Sequence, residues 1–130
     1  MQRLDKFSII RYNKTKLTYW NKRVIAIKIV LDDSRVIDCK KYRYNRVKTY
    51  SDCILLMEIF KDDLKFVSLD YHLGEDSPYS GYDVLVYMYE NRIHPKHINI
   101  HSDHETGAEK MYKFAKEHFP NSHITRNKIL

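Results

Sequence analysis

Val24-Ile-Ala-Ile-Lys-Ile-Val-Leu31 runs directly into Asp32-Asp33. Apart from Lys28 the run is apolar and mostly β-branched, the composition of a strand buried on both faces in a parallel sheet. Two later segments repeat the plan. Phe66-Val-Ser-Leu69 ends at Asp70, and His97-Ile-Asn-Ile100 ends at His101-Ser102. A short strand around Arg46 to Thr49 and a last one at His123-Ile-Thr125 complete the set.

The segments between these runs have helical patterns. Ser51 or Asp52 caps a helix that carries Ile54, Leu55 and Ile59 and runs to about Lys61. Ser80-Gly-Tyr-Asp83 has the Ser-x-x-Asp form of a helix start and precedes Leu85, Met88 and Tyr89. Thr106-Gly-Ala-Glu109 has a similar form. It leads into Met111, Phe114, Ala115, His118 and Phe119, one apolar stripe at helical spacing. Strands alternating with amphipathic helices predict a three-layer α/β sandwich with a mainly parallel sheet over residues 24–130. Residues 1–23 are left over. Phe7–Tyr12 and Leu17–Trp20 flank a polar turn there, which predicts a basic N-terminal β-hairpin extension.

With 130 residues the chain is long enough for one core and too short for two. No apolar run approaches the roughly 18–20 residues of a membrane span. Met1–Ile10 has no secretory pattern, so a cytoplasmic domain is expected. Cys39 and Cys53 show neither metal-type spacing nor a disulfide framework, and are read as reduced thiols. The formal net charge is +6, unevenly spread. Residues 1–48 carry 14 Lys and Arg against 4 Asp and Glu, whereas residues 49–130 carry 9 against 13. The basic third also holds Tyr12, Tyr19, Trp20, Tyr42 and Tyr44, a mixture suited to a polyanion. A solvated hairpin and loop would have the same composition.

Chemistry concentrates at the strand ends. In an open parallel sheet the C-terminal ends share one rim, where ligands bind. That rim gathers Asp32, Asp33, Asp70, His72, His101, Ser102 and His104. Gly74, Gly81 and Gly107 fall in the segments beside it. Carboxylates brought together repel unless a cation or a proton intervenes, and a hard divalent ion, Mg²⁺ or Mn²⁺, resolves this. Such an ion would offset charge on a phosphoryl group, histidines would move protons, and Ser102 would donate to a phosphate oxygen. Taken singly, Asp33 could merely cap a turn and Asp70 merely pair with a lysine. Their joint occurrence at three strand ends favours a functional rim. His94, His97 and His118 lie off it. His123-Ile-Thr125 matches a His-x-Thr phosphoesterase element, but only one copy is present.

Leu31-Asp-Asp-Ser-Arg35, Ser68-Leu-Asp-Tyr-His-Leu-Gly74, Ser80-Gly-Tyr-Asp83 and His101-Ser-Asp-His-Glu-Thr-Gly107 resemble, in this order, the cyclic-phosphate processing receiver-like family, related to response-regulator receiver domains. The resemblance covers about residues 24–120 and implies a receiver-like, flavodoxin-like fold whose acidic pocket acts on cyclic phosphates. Carried over by position, Asp32, Asp33 and Asp70 hold the metal. Asp70, His72, His101 and Ser102 form the catalytic group, and Arg35, His104 and Gly107 contact substrate. His104 stands where the family's motif usually has Asn. The lysine that ordinary receivers carry after the fifth strand has no clear counterpart, and a basic loop, 36–48, replaces their first helix.

The reading favoured by these residues is a metal-dependent phosphodiesterase-type hydrolase. Its substrate would be a cyclic phosphate on a nucleotide or an RNA end. The alternatives are a non-catalytic module for nucleotides or polyanions, and a receiver that accepts a phosphoryl group on Asp70.

Overall fold

A computed structural model describes residues 26–128. The hairpin expected within 1–23 lies outside the described residues. Five parallel strands form one sheet: β1 (Ile27–Leu31), β2 (Asn45–Val47), β3 (Leu64–Leu69), β4 (His97–Ile100) and β5 (His123–Thr125), in the order β2-β1-β3-β4-β5. Between them lie α1 (Cys39–Tyr42), α2 (Tyr50–Phe60), a 3₁₀ turn (Lys61–Asp63), α3 (Gly81–Glu90) and α4 (Glu105–His118). This is the receiver-like, flavodoxin-like arrangement.

Strand alternation gives the sheet two unlike faces. Ile29, Leu31, Val47, Val67, Leu69, Ile98, Ile100 and Ile124 form one core with Met57 of α2, Leu85 and Met88 of α3, and Met111 and Ala115 of α4. These three helices supply the amphipathic stripes expected of crossover connections. The opposite face carries Lys28, Arg46, Ser68, His97, Asn99 and Thr125, as the register of the pairs dictates. The loop expected over 36–48 holds the single turn of α1 and strand β2. Tyr44 stacks on both Tyr42 and Phe66 there, with ring centroids 5.5 and 5.8 Å apart.

Two helix starts differ from expectation. Thr49 caps α2 by accepting from the Asp52 amide, two to three residues ahead of the residues that composition favoured. His104, rather than Thr106, caps α4, its Nδ1 accepting from the Gly107 amide at 2.9 Å. By contrast, α3 begins as predicted. Ser80 and Asp83 form a reciprocal capping box, the Ser80 amide donating to Asp83 Oδ2 at 2.7 Å. Cys53 is buried, Cys39 is half-buried, and neither forms a disulfide. No helix among the described residues is long and apolar enough to cross a membrane.

Candidate functional site

The strand ladder itself delivers three chemically active residues to one edge. The Asp32 amide donates to Val47 O at 3.1 Å, the Asp70 amide to Leu31 O at 3.1 Å, and the His101 amide to Leu69 O at 3.0 Å. Each residue is therefore the first beyond its strand and is still held by the neighbouring one. One ligand atom each from Asp32, Asp70 and His101 lie within 4.8 Å of one another.

Asp32 is wholly buried and saturated with donors. Its Oδ1 accepts from the amides of Ser34 and Arg35, both at 2.9 Å. Its Oδ2 accepts from His101 Nε2 at 2.9 Å and lies 3.1 Å from Arg35 Nε. Arg46 donates to the Asp32 carbonyl from Nε at 3.1 Å and Nη2 at 3.0 Å. Burial alone would raise this carboxyl, but the bonds from His101, Arg35 and Ser34 outweigh it and lower its pKa to about 2.

Asp70 is in the opposite condition. It is buried to 8% exposure. Burial pushes its pKa up and the charge of Asp32 pushes the same way, against hydrogen bonds from the Ser102 side chain and the Tyr71 amide. Gly81, the first residue of α3, packs so closely on the Asp70 carbonyl that a Cβ there would overlap its oxygen. That contact explains the glycine and fixes the loop after β3.

An open pocket of about 320 Å³ lies over these strand ends, lined by Asp33, Ser34, Arg35, Asp70, His72, Ser102, Asp103 and His104. Arg35 crosses it, bonded to buried Asp32 at one side and to Asp103 at the other, 2.7 Å away. His104 stacks on Tyr71 with centroids 4.7 Å apart. Gly74 has φ +99°, a left-handed conformation that suits glycine, and its Cα side faces the Asp33 carboxylate.

The sequence-derived set thus divides. Asp33, Arg35, Asp70, His72, Ser102 and His104 meet at the pocket. His101 lies beneath it with a fully buried side chain. Gly107 is buried and offers no amide to a ligand: its N–H is spent on His104, and its Cα packs against the Tyr71 ring. The start of α4 is to that extent closed by its own cap.

Four contributors went unseen in the sequence. Arg46 belongs to the basic segment, yet it turns inward to Asp32. Asp103 pairs with Arg35, a role that spacing does not announce. Ser68 and Asn99 are polar residues inside buried strands, Ser68 Oγ lying 2.6 Å from His101 Nδ1. A polar side chain at an alternate position of a buried strand was the available signal.

The fold and its rim define a receiver-like α/β domain with an acidic, arginine-crossed pocket. The family model of the cyclic-phosphate processing receiver domain matches residues 27–117, and the chain belongs to that family. Comparison with curated proteins and with solved structures gives no significant match.

Proposed function

We propose that this domain hydrolyses a cyclic phosphate on a nucleotide or an RNA end, using a divalent ion held by the strand-end carboxylates. The observation that carries the reading is the juxtaposition of Asp33, Asp70 and Arg35 around one pocket. The donor set suits Mg²⁺ or Mn²⁺, which take one or two carboxylates and keep several waters. Asp33 and Asp70 line the pocket, and the raised pKa of Asp70 marks a carboxylate that gains from a nearby cation. Asp32, already accepting from His101 and three further donors, adds negative charge behind them and would ligate directly only by giving up one of those bonds.

The ion supplies charge neutralisation at the phosphoryl oxygens. The remaining work falls to side chains. Arg35 exchanges Asp103 for a phosphate oxygen and orients the ring phosphate, as a planar guanidinium fork does well. Ser102 turns its hydroxyl from Asp70 to hydrogen-bond a second phosphate oxygen. Water attacks phosphorus and releases a proton to solvent, the bond to one ribose oxygen breaks, and protonated His72 at the pocket wall gives that oxygen a proton and is reprotonated from solvent, leaving a phosphomonoester. The ring of His104, stacked on Tyr71, supplies a flat wall for the nucleoside.

Incubation with a panel of 2′,3′- and 3′,5′-cyclic nucleotides and Mg²⁺ or Mn²⁺ tests the reading. Metal-dependent ring opening that Asp70→Asn abolishes is expected. No product from any member of the panel, with any of the ions, overturns it.

A further inference from the structure

We infer that Ser68 and Asn99 are positioning residues that hold His101 as a neutral imidazole with its proton on Nε2, dedicating it to Asp32. A buried chain of donors and acceptors fixes the tautomer, beginning at backbone groups, whose roles are set. The Asn127 amide donates to Asn99 Oδ1 at 3.0 Å, and the Asn127 carbonyl accepts from Asn99 Nδ2 at 2.8 Å. These two bonds settle which end of the Asn99 amide is oxygen. Thr125 Oγ1 donates to the same oxygen at 2.6 Å.

Asn99 Nδ2 also donates to Ser68 Oγ at 3.0 Å. Ser68 is wholly buried, so its hydroxyl proton turns to the remaining partner, His101 Nδ1 at 2.6 Å. Nδ1 therefore accepts, and the imidazole proton sits on Nε2, which donates to Asp32 Oδ2 at 2.9 Å. From Thr125 and the Asn127 amide through Asn99, Ser68 and His101, each successive donor points towards Asp32. Both ring nitrogens are engaged, and the side chain has no exposed surface.

His101 consequently presents no lone pair to a cation and no proton to a substrate. Its service is to fix Asp32, and through Asp32 the guanidinium of Arg35. The statement about the cation rests on the proposed function; the tautomer does not.

Long-range ¹H–¹⁵N correlation NMR of the full ¹⁵N-labelled chain reads the tautomer directly, with His101→Gln identifying the signals. The wild-type protein is expected to show a protonated Nε2 and an unprotonated Nδ1, unchanged when Mg²⁺ is added. Ser68→Ala removes the donor to Nδ1 and is expected to lose the single-tautomer pattern. Asn99→Asp, which replaces the donating amide by an acceptor, is expected to lose it too. A wild-type spectrum with the proton on Nδ1, or on both nitrogens, overturns the inference without any variant. Conversion to the Nδ1–H form on adding Mg²⁺ would make His101 a ligand and overturn its dedication to Asp32. Absence of any Mg²⁺ response in the protein counts against the proposed function while the tautomer is still read.

Discussion

Replacing Asp32 by asparagine preserves the shape of the side chain and removes the charge around which the rim is built. The folded carboxyl has a pKa of about 2 against 3.8 for a free aspartate. At about 1.4 kcal/mol per pH unit, that gap favours the folded state by roughly 2–2.5 kcal/mol at neutral pH. The folded pKa is depressed, so this stabilisation is complete above 3.8 and disappears as pH falls towards 2. Asparagine can accept through one end only, and its amide would face a donor from His101 or from the Ser34 and Arg35 amides. The loss at pH 7 is therefore expected at about 2–3 kcal/mol. Urea titrations of wild type and Asp32→Asn at pH values from 7 down to 2.5 measure it, the carboxylates other than Asp70, which feels the charge of Asp32, cancelling in the difference. With a denaturant slope of about 1–3 kcal/mol/M, the midpoint should fall by about 0.7–3 M at pH 7, and the two curves should converge in acid. Equal stability at pH 7, or a gap that stays constant down to pH 2.5, would refute the reasoning.

Asp70→Asn should act with the opposite sign. Its pKa is raised, chiefly by burial, so its ionised form costs stability at neutral pH. The variant is expected to have a higher urea midpoint than wild type at pH 7, an advantage that vanishes once the pH is low enough to protonate the wild-type carboxyl; a lower midpoint at pH 7 contradicts this. Gly81→Ala drives a methyl group onto the Asp70 carbonyl oxygen. A loss of at least about 1–3 kcal/mol in thermal or urea unfolding is expected, and wild-type stability would show that the contact is dispensable. Arg35→Lys should weaken binding of a 2′,3′-cyclic nucleotide by roughly tenfold or more, because an ammonium cannot hold buried Asp32 and a phosphate with one planar fork. Calorimetric titration reads this, and undiminished affinity would remove Arg35 from the site. Asp103→Ala breaks the other half of the same strap at a carboxylate that is 79% exposed. Its unfolding midpoint should change by less than about 1 kcal/mol in stability terms; a larger loss would make the pair structural.

The parts of this fold that sequence made legible are those where burial and chemistry change abruptly. Ile29-Val-Leu31 followed by Asp32, Val67-Ser-Leu69 by Asp70, and Ile98-Asn-Ile100 by His101 each mark a strand and its end at once. Parallel pairing then brings those ends together without further information. Ser80 and Asp83 announced α3 because both members of the capping box are of standard type. His104 did not announce α4, since a ring nitrogen is an unusual cap acceptor and Thr106 offered a better-known one. The glycines beside the rim were visible as a group, but their separate reasons were not. Gly81 answers to a carbonyl oxygen and Gly107 to a tyrosine ring, which only packing reveals. Arg46 was counted with a solvent-facing basic excess, although its guanidinium points at Asp32. Charge composition reports how many cations a segment carries and nothing about the direction in which each one faces. Ser68 and Asn99 are plain to see within their strands, but their meaning depends on which face of the sheet lies towards His101.

Isothermal titration of the full chain with Mg²⁺, alone and then with a 2′,3′-cyclic nucleotide, addresses the pocket most directly when Asp70→Asn is run beside the wild type. Saturable Mg²⁺ binding to the wild type and tighter nucleotide binding in its presence are expected, with the loss of both in an Asp70→Asn protein that remains folded. Nucleotide binding that ignores Mg²⁺ and survives Asp70→Asn would contradict a carboxylate-held ion as the centre of this site.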